Sequence, residues 1–275
     1  MDRAERSMSP FTDQAIGVFD SGIGGLTVVR ALMERLPFEN IIYFGDTARV
    51  PYGIKSVETI NRYALQITEF LLRKNVKLLI VACNTMAAVA YQAIRDLSPV
   101  PVLEVIGAGA AEAAAKTVNR TIGVIGTPAT INSNAYARAI HRLDRDIRIF
   151  SQSCPLFVPL VEEGWLDHEA TRLTAAEYLK PVLAEDIDTL VLGCTHYPLL
   201  KPLLADIVGP GVRLIDSAEA MAEQTADLIA AKKLENASGD PAQYLYCISD
   251  VPYRFQTIGE RFLGRTLSCV ETVRL

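Results

Sequence analysis

Two cysteines, Cys83 and Cys194, stand at corresponding places in two similar stretches of the chain. Cys83 follows the apolar run Leu78-Leu-Ile-Val-Ala, and Cys194 follows Leu190-Val-Leu-Gly. Short apolar runs of this kind, each followed by helix-cap residues, are typical of buried parallel strands. Because open α/β sheets bind ligands beyond the carboxyl ends of their strands, both sulfurs are predicted to face a ligand site.

Two thiols on opposite sides of one substrate are suited to proton transfer at carbon. One thiolate removes a proton from one face of a carbon atom while the opposite thiol delivers a proton to the other face, which inverts the centre. Each cysteine precedes a predicted helix start, where the helix dipole favours a thiolate. The alternative is that both are packing residues, the role expected of Cys154, Cys247 and Cys269.

Three other side chains are candidates for passing protons to or from the thiols. Asp20 ends the first predicted strand, His196 lies two residues beyond Cys194, and Glu162 lies in the segment Pro159-Leu-Val-Glu. An imidazole titrates near neutral pH, so His196 could tune the nearer thiol. The alternatives are a loop cap for Asp20, a core or solvated imidazole for His196, and a solvated carboxylate for Glu162.

The loop Ser21-Gly-Ile-Gly-Gly offers backbone N–H groups at a helix start, a favourable arrangement for an anion. A dinucleotide-binding loop is the rival interpretation, with Asp46 as the ribose-binding acid, but the required third glycine is Thr27. Short polar donors also stand at other predicted strand ends: Asn84, Thr85, Thr127, Thr130 and Thr195. These donors could hold a small carboxylate substrate without any arginine.

The elements that carry these residues alternate strand with helix, which predicts an α/β fold with parallel sheets. Ile16-Gly-Val is repeated as Ile122-Gly-Val, and an internal duplication into two similar lobes explains both this repeat and the paired cysteines. We predict a disordered tail over residues 1–14, a first lobe over 15–100 plus 212–275, and a second lobe over 101–211.

Composition narrows the classes of partner and cofactor. The 275 residues carry a net charge of −5 without a basic run, which argues against binding nucleic acid or an acidic membrane. No run approaches the length of a membrane span, and five widely spaced cysteines do not form a disulfide framework, so we expect a cytoplasmic protein. The chain has three histidines, and its potential ligand residues lack the spacing of known metal sites, so we predict no bound metal. The expected partners are a small molecule and a second copy of the chain as a homodimer.

Four motifs together resemble a known family. They are Val18-Phe-Asp-Ser-Gly-Ile-Gly-Gly-Leu, Tyr43-Phe-Gly-Asp-Thr-Ala-Arg-Val-Pro-Tyr-Gly, Ala82-Cys-Asn-Thr and Gly193-Cys-Thr-His-Tyr-Pro-Leu. In this order they resemble the cofactor-independent glutamate racemases of bacterial cell-wall synthesis, within the aspartate/glutamate racemase family. The resemblance spans about residues 15 to 235. It implies two pseudo-symmetric α/β lobes, each a mostly parallel sheet flanked by helices, with the active site in the cleft between them.

The resemblance also implies roles for individual residues. Cys83 and Cys194 match the two catalytic cysteines of the family. The resemblance implies that they interconvert L- and D-glutamate without a bound cofactor, and that the D-glutamate supplies peptidoglycan synthesis. The implied substrate-binding positions are Asp20, Ser21, Pro51, Tyr52, Gly53, Asn84, Thr85, Thr195 and His196. Rival functions are a racemase of aspartate or a related acid, a decarboxylase using one cysteine, a non-catalytic anion-binding protein, and a thiol redox protein.

Overall fold

The computed structural model describes residues 14–250 and 255–275, which form two parallel β-sheets with helices packed against them. The tail predicted for residues 1–14 lies outside this range except for residue 14. We call the six-stranded sheet with its helices the first lobe and the four-stranded sheet with its helices the second lobe.

The first lobe contains the strands in the order β10-β9-β2-β1-β3-β4, all parallel to their neighbours. Their bounds are β1 Ile16–Asp20, β2 Ile41–Gly45, β3 Leu78–Val81, β4 Val102–Glu104, β9 Tyr244–Ile248 and β10 Val270–Thr272. Every residue of β1 and β3 is buried, as expected for parallel strands covered by helices on both faces.

The second lobe contains four parallel strands in the order β6-β5-β7-β8. Their bounds are β5 Thr121–Gly126, β6 Arg148–Ser153, β7 Thr189–Gly193 and β8 Arg213–Asp216. The central strands β5 and β7 are buried throughout, whereas the edge strand β6 has no fully buried residue.

The two sheets repeat one topology. In the first lobe the strands β2-β1-β3-β4 are neighbours in this order, and in the second lobe β6-β5-β7-β8 follow the same order. Cys83 lies just beyond β3 and Cys194 directly follows β7, so the two cysteines occupy equivalent positions. The predicted α/β fold with two pseudo-symmetric lobes is confirmed.

Helices connect the strands and bury their apolar faces against the sheets. The helices are α1 Leu26–Arg35, α2 Val57–Arg73, α3 Asn84–Leu97, α4 Val105–Lys116, α5 Pro128–Asn132, α6 Ala135–Leu143, α7 Phe157–Glu162, α8 Glu169–Leu183, α9 Lys201–Val208, α10 Ser217–Lys232 and α11 Phe255–Leu263. Three 3₁₀ turns span Thr47–Arg49, Tyr52–Ile54 and Tyr197–Leu200.

Helix α2 shows how local sequence determines these elements. The Ser56 side chain caps its first turn by accepting from the Thr59 N–H, and Ile60, Ile67 and Leu71 recur at helical spacing and are buried. Burying each such side chain contributes about 1.5 to 3 kcal/mol. The spacing of these apolar residues in the sequence predicts a helix over residues 56 to 74.

The chain passes between the lobes at points that differ from the predicted ones. Strand β4 still pairs with β3 of the first lobe, so the first passage follows residue 104 and not residue 100. Strand β8 pairs with β7, so the return does not begin at residue 212, and the next strand of the first lobe is β9. Helices α4 and α10, which follow β4 and β8, pack against each other at the junction of the lobes.

Candidate active site

Residues near the carboxyl ends of both sheets contact one another between the lobes. The Thr27 hydroxyl of the first lobe donates to the Thr195 carbonyl of the second at 3.1 Å, and the hydroxyls of Thr85 and Thr127 lie 3.4 Å apart. Thr85 lies two residues beyond Cys83, and Thr195 directly follows Cys194. Both cysteine loops therefore border one region between the lobes.

Cys83 is a buried thiol at the start of α3. Its sulfur caps the helix by accepting from the Met86 N–H at 3.5 Å and lies 3.4 Å from the Ser21 hydroxyl. Burial and the nearby charge of Asp20 raise the pKa of Cys83 to about 12, although these hydrogen bonds act in the opposite direction. The helix dipole was expected to favour a thiolate at Cys83, and burial of the sulfur outweighs this effect.

Asp20 is a fully buried carboxylate at the end of β1. Its Oδ2 accepts from the Gly22 N–H at 3.1 Å, whereas its Oδ1 is buried and has no hydrogen-bond partner among residues 14–250 and 255–275. Burial raises the pKa of Asp20 above its ordinary value, although the charge of His196 and several backbone N–H donors lower it. An unpartnered acceptor of this kind is a place where a ligand could donate a hydrogen bond.

Cys194, His196 and Glu162 form a contiguous row of titratable groups in the second lobe. The Cys194 sulfur lies 4.0 Å from Nδ1 of His196, and Nε2 of the same ring lies 2.9 Å from Oε1 of Glu162. Burial lowers the pKa of His196, but the hydrogen bonds to Cys194 and Glu162 outweigh it and raise this pKa to about 10. Its two hydrogen-bond partners therefore favour a positive charge on the ring beside the Cys194 sulfur. Cys194 itself is followed by the 3₁₀ turn and not directly by an α-helix.

Close packing holds His196 against the first lobe. A Cβ on Gly24 would lie 2.2 Å from the Thr195 hydroxyl and 2.6 Å from Nδ1 of His196, so only glycine allows this approach. The Phe262 ring from α11 meets the imidazole edge-on, with ring centroids 4.9 Å apart. The glycine loop was predicted to expose N–H groups to an anion. In the structure Gly24 also allows the close approach of Thr195 and His196.

The segment around Tyr52 is held by the buried carboxylate of Asp46. The Oδ2 of Asp46 accepts a hydrogen bond from the Tyr52 hydroxyl. The same oxygen accepts from Nε of Arg49 at 2.6 Å, and Oδ1 accepts from the Ser249 hydroxyl at 2.8 Å. The turn Tyr52–Ile54 contacts α5 of the second lobe. Within the segment Tyr52 is buried, Pro51 is exposed, and a side chain on Gly53 would meet open space.

The remaining polar candidates lie on either side of the lobe interface. Asn84 is buried and accepts at Oδ1 from the Tyr136 hydroxyl at 2.8 Å, while its buried Nδ2 has no hydrogen-bond partner in the part of the chain that the structure describes. Thr127 caps α5 by accepting from the Thr130 N–H at 3.4 Å, and the two hydroxyls lie 3.1 Å apart. These contacts bring most of the candidate substrate-binding residues to the carboxyl ends of the two sheets.

No group of three or more His, Cys, Asp or Glu side chains within residues 14–250 and 255–275 is arranged to hold a metal ion. Among the helices formed by these residues, none combines the length and apolar character needed to span a membrane.

A family model described as "Asp/Glu/Hydantoin racemase" matches residues 16–225, most of the chain and both cysteine loops. The chain belongs to this racemase family. The resemblance inferred from the four motifs is thereby confirmed.

Named relatives of this racemase are close in sequence. A glutamate racemase from Syntrophus aciditrophicus is 72% identical over 260 residues, which cover 94% of this chain and 96% of the relative. A glutamate racemase from Neisseria meningitidis is 61% identical over 261 residues, covering 94% and 96% of the two chains.

Solved structures of family members share the fold of this racemase. The glutamate racemase from Francisella tularensis, crystallised with D-glutamate, superposes with a TM-score of 0.90 at 43% identity and covers 95% of this chain and 98% of its own. A glutamate racemase isoform from Bacillus anthracis gives a TM-score of 0.92 at 39% identity, covering 96% and 98%. An aspartate racemase from Picrophilus torridus, at 18% identity and a TM-score of 0.54, shows the fold alone.

Several residues at the site of this racemase were not predicted from the sequence. Thr27, Tyr136 and Phe262 contact candidate residues from other parts of the chain, and the chain gives no spacing signal for any of them. Asp46 was considered only as a ribose-binding acid, but its two oxygens are occupied by Tyr52, Arg49 and Ser249.

Proposed function

We propose that this racemase is a glutamate racemase that interconverts L- and D-glutamate with Cys83 and Cys194 as its two proton-transferring groups. The observation that carries the proposal is the equivalence of these cysteines, which follow corresponding strands of two sheets with the same topology. The close relatives are named for this activity. The paired thiols supply one acid or base for each face of a substrate carbon.

Binding of an amino acid requires partners for both an ammonium and a carboxylate. Asp20 Oδ1 is a buried acceptor without a partner, which suits the ammonium, and Asn84 Nδ2 is a buried donor without a partner, which suits a carboxylate. Such unpaired groups are costly in an empty site and recover hydrogen bonds when a complementary ligand enters. Further candidate contacts for the substrate come from Ser21, Pro51, Tyr52, Gly53, Thr85, Thr127, Thr130, Thr195 and His196.

The reaction transfers one proton from each side. In one direction a thiolate takes the α-proton, the C–H bonding electrons remain on the planar α-carbon, and the opposite thiol gives its proton to the other face. The first sulfur ends protonated and the second ends as a thiolate, so the reverse direction exchanges their roles. The enzyme returns to its starting state by moving one proton between the two thiols, and we propose Asp20 and His196 as the groups that carry it.

The two thiols have different resting environments. Burial keeps Cys83 protonated at neutral pH, because its pKa lies at about 12. The imidazolium of His196 beside the Cys194 sulfur offers the opposite charge that a thiolate requires. We therefore propose that Cys83 is protonated in the free enzyme. The proton that moves during turnover is then shared among Cys194, His196 and Glu162.

Exchange of the α-hydrogen in heavy water tests the proposal directly. The purified protein, without any added cofactor, should replace the α-hydrogen of both L- and D-glutamate with deuterium while it racemises them, as followed by proton NMR and polarimetry. Absence of exchange and turnover, combined with tight glutamate binding, would instead support a non-catalytic binding protein. Faster turnover of aspartate in the same assay would support the alternative substrate.

The cellular role follows from the product. We propose that D-glutamate made by this enzyme supplies peptidoglycan synthesis in the cytoplasm. Depletion of the enzyme in its host should then cause lysis that added D-glutamate prevents. The homodimer stays a prediction, which light scattering of the purified protein checks.

A further inference from the structure

Tyr136 is a buried tyrosine of α6 that lies between the two cysteine loops. Its ring packs against two glycines, since a Cβ on Gly193 would come within 3.0 Å of the ring and one on Gly109 within 3.4 Å. Its hydroxyl donates to Oδ1 of Asn84 at 2.8 Å. Gly193 directly precedes Cys194 and Asn84 directly follows Cys83, so one side chain contacts the neighbours of both thiols.

We propose that Tyr136 is a positioning residue that holds the Asn84 amide with its NH₂ group facing a substrate carboxylate. This inference rests on the proposed function and assigns a task to a residue that makes no proton transfer itself. The geometry also gives Tyr136 a second task, because its ring fills the space between Asn84 and Gly193.

The chemistry of the amide is the reason that its orientation matters. The two ends of an asparagine side chain have nearly the same shape, but one accepts hydrogen bonds and the other donates them. The Tyr136 hydroxyl occupies Oδ1 and leaves Nδ2 as a buried donor without a partner. A flipped amide would present an oxygen to the carboxylate and repel it.

Two observations explain why Tyr136 can fix this orientation. Gly193 lies close to Cε2 of the ring and Gly109 close to Cε1, which leaves the ring little freedom to move away. Burial raises the pKa of Tyr136 far above its ordinary value, so the hydroxyl keeps the proton that it donates. The contact also crosses between the lobes, because α6 belongs to the second lobe and Asn84 to the first.

The test compares Tyr136→Phe with Tyr91→Phe. Tyr136→Phe keeps the ring that spaces the loops and removes only the hydroxyl, so we expect KM for glutamate to rise about three- to tenfold while kcat changes less than twofold. Tyr91→Phe removes a hydroxyl from α3, the helix that carries Asn84, but from one that meets the Val102 carbonyl at 3.4 Å. It should leave both constants unchanged. An unchanged KM in Tyr136→Phe would overturn the inference.

A double-mutant cycle separates positioning from general loss of structure. In an Asn84→Ala background the further change Tyr136→Phe should add no increase in KM, because no amide remains to be oriented. Independent, additive effects would contradict the proposal.

Asn84→Asp tests whether residue 84 faces the substrate carboxylate without changing Tyr136, should the phenylalanine variant fail to fold. Its carboxylate can still accept from Tyr136 but presents an oxygen to the site, so it should bind glutamate more weakly than Asn84→Ala. Equal or tighter binding by Asn84→Asp would overturn the inference.

Calorimetric binding of D-glutamate keeps this test distinct from that of the proposed function. The order of affinities, wild type above Asn84→Ala above Asn84→Asp, is expected whether or not turnover is observed. An inactive wild type with this order would refute the racemase function and leave the orientation of Asn84 supported.

Discussion

The His196 ring joins Glu162 to the Cys194 sulfur: its Nε2 lies 2.9 Å from Glu162 Oε1, and its Nδ1 lies 4.0 Å from the sulfur. Glu162 is itself held from the C-terminal helix, because Nη1 of Arg261 donates to the Glu162 carbonyl at 3.1 Å. A half-exposed carboxylate thus controls the charge of a buried imidazole, which in turn faces a candidate catalytic thiol.

Replacing Glu162 by Gln should shift the pH dependence of the reaction. The hydrogen bond and charge of Glu162 help to raise the pKa of His196 to about 10, so their loss lowers this pKa towards its ordinary value. The imidazolium is then lost at lower pH, and the alkaline limb of the kcat/KM profile should move to lower pH. Glu177→Gln, on the exposed face of α8, is the control. If the alkaline limb does not move, catalysis does not depend on the protonation of His196.

Replacing either Cys83 or Cys194 by Ala should abolish racemisation. General acid and base groups contribute about 10² to 10⁴ in rate, and each direction requires both thiols. Cys269→Ser removes an exposed thiol and should retain wild-type activity. Circular dichroism of the variants checks that the fold is intact. Full activity in either active-site variant would refute the two-thiol mechanism.

Replacing Asp46 by Asn should weaken substrate binding through Tyr52. The neutral amide loses a charge-assisted hydrogen bond, and such bonds contribute about 1.5 to 3 kcal/mol, so KM should rise about tenfold or more. Steady-state kinetics should show a similar rise for Tyr52→Phe if Asp46 acts by holding that hydroxyl. Asp240→Asn, at an exposed position, should have no effect. A change confined to kcat in Asp46→Asn would contradict the positioning role.

Replacing Gly24 by Ala should disturb the contact between the lobes. The new Cβ would lie 2.2 Å from the Thr195 hydroxyl, so the loop or His196 must move, and overpacking of this kind costs about 1 to 3 kcal/mol. We expect a lower Tm and a fall in kcat/KM of at least about tenfold. Gly211→Ala adds a Cβ where no atom lies within 4 Å and serves as the matched control. Equal Tm and kcat/KM values in the two variants would mean that this contact does not contribute to stability or catalysis.

The sequence was most informative where the determining interactions are local. The apolar run before Cys83, the helical spacing of Ile60, Ile67 and Leu71 and the repeated Ile-Gly-Val predicted strands, a helix and the duplication, because periodicity acts over a few residues. The equivalence of Cys83 and Cys194 followed from the same local patterns.

The sequence was least informative where distant segments meet. Strand β8 has the pattern of any buried parallel strand, so its pairing with β7 and not with the first lobe had no local signal. Tyr136 and Phe262 reach the site through the packing of α6 and α11, which depends on the whole fold. The unexpected charge environment of Cys83 likewise depends on burial, which no motif encodes.

The position of β9 constrains how this protein can be synthesised. The outer edge of β2 is covered by Tyr244–Ile248, which leave the ribosome only after the entire second lobe. Until then the backbone N–H and C=O groups along that edge have no partner, a state that invites pairing between nascent chains. The lobe whose first strands are translated earliest is therefore completed only after the second lobe has been synthesised.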